Sequence, residues 1–108
     1  MKVLVLEKEQ IVKKDIENQL KKNGFTPTDR QDKETDIVII GQLSFLNEVI
    51  LMKAQFPSNT RYIFLTGHFK ELLTEELNQF SKAIFIQKPI AAEAVIKIIK
   101  ELNIKDLS

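Results

Sequence analysis

The side chains able to do chemistry fall into four short clusters. Glu7-Lys8-Glu9 follows the apolar run Val3-Leu4-Val5-Leu6. Gly41 closes the run Ile37-Val38-Ile39-Ile40. Thr66-Gly67-His68 follows Tyr62-Ile63-Phe64-Leu65, and Gln87-Lys88-Pro89 follows Ala83-Ile84-Phe85-Ile86. Acids and lysines placed this way could hold a hard divalent cation or simply pair with one another. Much other chemistry is excluded. The 108 residues include no Cys, which removes disulfides, thiolate nucleophiles and Cys-based zinc sites together. One His leaves too few nitrogen ligands for a typical zinc site. Gly24, Gly41 and Gly67 are too far apart to make a phosphate-cradling glycine loop.

The elements that must carry these clusters can be read from periodicity. Val3 to Leu6, Ile37 to Ile40, Tyr62 to Leu65 and Ala83 to Ile86 are continuous apolar runs of strand length, and Phe25 to Thr28 is a possible short strand. Val12, Ile16 and Leu20 recur every four residues, with Lys13, Lys14, Glu17, Lys21 and Lys22 on other faces, so this segment is an amphipathic helix. Asn23-Gly24 is its expected stop. Leu43 to Gln55, Phe69 to Phe80 and Ala91 to Leu102 read as further helices. Doubly buried strands alternating with helices imply a parallel sheet covered on both faces. Right-handed crossovers favour a five-stranded flavodoxin-like sheet of order 2-1-3-4-5. That order brings the four clusters to one crevice at the carboxyl ends of the strands.

The length allows one domain, 1–108, with 104–108 expected as a tail. With 44% hydrophobic residues the chain can bury a core. A net charge of +1 gives no electrostatic case for direct nucleic-acid binding. Met1-Lys2 is followed by only four apolar residues before Glu7, which is no signal peptide, and no apolar run approaches a membrane span. A cytoplasmic location is therefore expected.

In the order and spacing of its clusters the chain resembles the receiver domain of two-component response regulators. That family carries an acidic pair after strand one, a phospho-accepting Asp after strand three, Thr or Ser after strand four, and Lys-Pro after strand five. Here Glu7-Lys8 stands at the acidic pair, Gly41 at the acceptor, Thr66 at the Thr/Ser position and Lys88-Pro89 at the end. The step of 22 residues from Thr66 to Lys88 is typical of the family, and the resemblance covers essentially the whole chain. Phe85 falls at the family's rotating aromatic, although an apolar strand residue is more often fixed core.

The departures from the pattern bear on function. Gly41 has no side chain on which an acyl phosphate could form. Lys8 replaces one of the two acids that hold Mg²⁺ in the family. What remains implies a pseudo-receiver with a degenerate phosphorylation site at Glu7, Lys8, Gly41, Thr66 and Lys88, without metal or cofactor. In it Lys88 is expected to pair with Glu7, Thr66 to bond backbone and His68 to be solvated.

The step from Gly24 to Asp36 is only 12 residues. A crossover with its helix takes about 10–12 residues after the strand itself, so the second helix of the family is expected to be absent or vestigial. The following helix is apolar nearly all round, at Leu43, Phe45, Leu46, Val49, Ile50, Leu51 and Met52, with Phe56 at its end. Either it shields surface bared by the missing helix, or Phe45, Leu51 and Phe56 form a patch for a partner or a homodimer. The partner face commonly used in the family would fall here on Leu72, Glu75, Glu76, Ile96, Lys97 and Lys100. These readings imply a non-enzymatic, phosphorylation-independent signalling module that works through protein contacts. The alternatives are a regulator phosphorylated unconventionally, for example on Ser44, or the regulatory part of a DNA-binding transcription factor with its output domain elsewhere. A flavodoxin-like cofactor binder is disfavoured, because no Gly- and Ser/Thr-rich phosphate loop follows strand one.

Overall fold

The computed structural model describes residues 1–28, 34–41, 50, 56, 59–66, 83–87 and 91–107. Its elements are β1 (Lys2–Leu6), α1 (Gln10–Lys22), β2 (Thr26–Thr28), β3 (Thr35–Ile40), β4 (Arg61–Thr66), β5 (Ala83–Gln87) and α2 (Ala92–Leu107). The strands form one sheet of order β2-β1-β3-β4-β5. Every neighbouring pair is parallel. This is the flavodoxin-like sheet expected from the apolar runs.

Alternation along the strands divides the interior in two, since successive side chains point to opposite faces. Val3, Val5, Ile37, Ile39, Ile63, Leu65 and Ile86 pack with Ile16 and Leu20 of α1 and with Val95, Ile96 and Ile99 of α2. Leu4, Val38, Ile40, Tyr62 and Phe64 fill the other face, with Phe56 among them and Ile50 against them. Phe64 and Phe85, opposite each other on β4 and β5, stack at 5.2 Å with 16° between their planes.

Helix α1 ends as Asn23-Gly24 predicts. Gly24 has φ of 84°, the left-handed conformation glycine tolerates best. The Phe25 N–H reaches the Leu20 carbonyl at 2.9 Å, and the Gly24 N–H reaches that of Lys21 at 3.3 Å. This is a Schellman closure, and Phe25 and Leu20 share one buried cluster beneath it. Helix α2 runs to Leu107, so the backbone of residues 104–107, expected as a tail, continues the helix. No Gly or Pro follows Leu102 to stop it.

The connection from β2 to β3 is short. Thr28 lies level with Leu4, and Thr35 with Lys2. The return therefore covers about 7 Å along the strands and about 10 Å across two strand spacings. Six residues, 29–34, separate the two strands. That number spans up to about 20 Å when extended but leaves no room for a crossover helix of ordinary length. The expected helices Leu43 to Gln55 and Phe69 to Phe80 lie outside the described residues, apart from Ile50, whose backbone is helical.

Candidate functional site

In a sheet of this order the strand connections reverse direction between β1 and β3, and that opens a crevice beyond their carboxyl ends. Glu7 leaves β1 there and Gly41 leaves β3. Their strands stay in register to the end, with Leu6 opposite Ile40, and the Gly41 N–H extends the ladder to the Leu6 carbonyl at 2.7 Å.

Glu7 turns into the crevice rather than out of it, and only 4% of it is exposed. Its Oε1 accepts a hydrogen bond from the Glu9 N–H at 3.1 Å. Its carboxylate lies over Gly41, in the space that a side chain at position 41 would use. A buried carboxylate needs such donors, because an ionised group away from water is costly. Lys8, next along the chain, is exposed. The two residues at the family's acidic-pair position thus part company, one into the crevice and one toward solvent.

Thr66 ends β4, opposite Gln87 at the end of β5. The topology brings the carboxyl ends of β1, β3, β4 and β5 to one edge, as the order of the apolar runs requires. Lys88, expected to pair with Glu7, lies outside the described residues, as do Gly67, His68 and Ser44. Phe85 is half-buried against Phe64 in the sheet. Among the described residues no group of three or more His, Cys, Asp and Glu could hold a metal ion.

The residues expected at a partner surface divide. Lys97 is exposed. Ile96 is only 3% exposed and Phe56 only 7%, so both belong to the core rather than to a contact face. On α2 the stripe against the sheet is centred on Val95, Ile96 and Ile99, which turns Ile96 inward. Phe56 meets Tyr62 edge to face at 6.3 Å over the second face of the sheet. Phe45, Leu51 and Leu72 lie outside the described residues.

Sequence reasoning did not foresee a groove of about 610 Å³ between α1 and the start of α2, with Glu9, Asp15 and Glu93 in its walls. It arises from the packing of two helices far apart in sequence, which no local motif marks. No helix among the described residues is long and apolar enough to cross a membrane.

Among solved structures, the chain is similar to the N-terminal domain of a response regulator/sensory box/GGDEF 3-domain protein from Carboxydothermus hydrogenoformans. That match has a TM-score of 0.71 and 18% identity, and covers 100% of both chains. A response regulator from Thermotoga maritima matches with a TM-score of 0.69 and 20% identity, over 93% of this chain and 94% of that one. NtrX from Brucella abortus matches with a TM-score of 0.61 and 16% identity, over 98% of this chain and 28% of that one. No protein-family model matches the sequence, and no curated protein does. At these identities the likeness establishes the fold, which is that of response-regulator receiver domains.

Proposed function

We propose that the chain is a signal-transduction module of the receiver type that works without phosphorylation, through contacts with a protein partner, and that it is not an enzyme. One observation carries this reading. At the end of β3, where the receiver pattern has its phospho-accepting Asp, stands Gly41, and the Glu7 carboxylate lies over it. No oxygen nucleophile is available at position 41 for attack on a phosphoryl donor. Lys8, at the second position of the acidic pair, supplies no carboxylate to hold a cation. The fold of the solved response regulators supports the receiver part of the reading.

Contact with the partner is assigned to exposed side chains, with Lys97 and Lys100 on the outer face of α2 as the first candidates. The partner is a protein, a second copy of the chain included, and direct nucleic-acid contact is not part of the proposal. Incubation with acetyl phosphate and Mg²⁺ followed by intact mass measurement tests it. The expected result is an unchanged mass. A stoichiometric gain of one phosphoryl group, at Ser44 or elsewhere, overturns it.

A further inference from the structure

We infer that the crevice is occupied by the chain itself: the Glu7 carboxylate fills the volume of the side chain that residue 41 lacks, and glycine at 41 is what allows it. A Cβ built on Gly41 would overlap Oε2 of Glu7, lie 2.6 Å from its Cδ and 3.3 Å from its Cβ. Carbon atoms in ordinary contact stand about 3.5–4.0 Å apart. The obstacle is not the backbone. Gly24 has the left-handed φ that resists a side chain, and Gly41 does not. An alanine at 41 would therefore suit the local conformation, and the nearest atoms it would meet among the described residues are those of Glu7.

Glu7 is the group that would have to yield, and yielding would cost it its contacts. It is buried, its Oε1 is held by the Glu9 N–H, and the strand beneath is fixed by the bond from Gly41 to Leu6. The two residues act as one unit, a carboxylate plug and the gap that admits it. Truncating Glu7 leaves a vacancy the size of a carboxylate, with the Glu9 N–H as a donor inside it. The ligand class for that vacancy is a small monocarboxylate. The inference deepens the phosphorylation-independent reading, on which only its functional meaning rests. An acceptor side chain restored at 41 would have to displace the Glu7 carboxylate from where it lies.

Urea unfolding midpoints test it on Gly41→Ala made in four backgrounds: wild type, Glu7→Gln, Glu7→Asp and Glu7→Ala. The midpoint should fall clearly in wild type and in Glu7→Gln, which keeps the volume. It should fall less in Glu7→Asp and least in Glu7→Ala, where only the 3.3 Å contact between the two Cβ atoms remains. Sodium formate, against sodium chloride at equal ionic strength, should raise the midpoint of Glu7→Ala and leave wild type unmoved. Should Glu7→Ala fail to fold, the Glu7→Gln and Glu7→Asp pairs still decide the steric question. An equal fall in every background, or none in wild type, overturns the plug. Formate that acts on both proteins alike, or on neither, overturns the vacancy. Phosphoryl labelling of the wild type would defeat the functional reading and leave the midpoint pattern as it is.

Discussion

The two ends of the β1–β3 pair each set a carboxylate against the neighbouring strand, and they do so on opposite terms. At the amino end the ladder slips between Lys2 and Val3, so that Asp36 has no partner on β1. The Asp36 carboxylate accepts the Lys2 N–H at 2.8 Å, which repairs the slip. Beside it the Lys2 ammonium meets Glu34 at 2.9 Å, with the side chains 37% and 75% exposed. At the carboxyl end Glu7 is buried and shares its volume with Gly41. The same functional group is a replaceable hydrogen-bond acceptor at the wet end and a space-filling part of the core at the dry one. What separates the two is whether solvent can take over when the side chain is changed.

Substitutions that stress this contrast should rank accordingly. Gly41→Asp should have the largest effect, because it adds both volume and a second negative charge against Glu7. Overpacking alone costs about 1–3 kcal/mol, so the loss measured by chemical denaturation should reach at least that range. Asp36→Ala should cost about 1 kcal/mol, the usual net worth of a hydrogen bond that water can partly replace. A loss at Asp36 equal to that at Gly41 would erase the distinction between the ends.

Tyr62, on the buried second face, gives a reading in pH. Burial pushes its phenol above the ordinary value of 10.0. Its folded value is raised, so the stability it contributes is complete below pH 10 and is lost as pH rises from there through the folded value. It is the one tyrosine of the chain, and there is no Trp, so ultraviolet titration reports it alone. Its ionisation should come later in the folded chain than in urea, and Tyr62→Phe should flatten the stability loss in that window. The smallest effect belongs to Glu34→Gln. An exposed ion pair is worth about 0–1 kcal/mol and is screened by salt, so the change should be barely measurable and should vanish at high ionic strength.

Much of the scaffold was legible because local chemistry dictates it. The β-branched run Ile37 to Ile40 could only be a buried strand, Asn23-Gly24 could close a helix, and 12 residues from Gly24 to Asp36 were too few for a strand, a helix and a return. The crevice was legible as a location. The fate of Glu7 was not. Its inward turn depends on a gap on another strand, 34 positions away, and on a rotamer that no spacing encodes. Ile96 and Phe56 were misplaced for a related reason. The resemblance put Ile96 on a partner face and Phe56 ends an apolar segment, and only the packing against the sheet decides whether such side chains are core or contact.

The crevice, as proposed, is filled by Glu7 and closed to phosphoryl chemistry. Amide spectra of the wild-type chain, titrated with Mg²⁺ and beryllofluoride, test that claim most directly at Glu7, Glu9 and Gly41. Unmoved resonances at all three are the predicted result. Saturable shifts centred on Gly41 would contradict it.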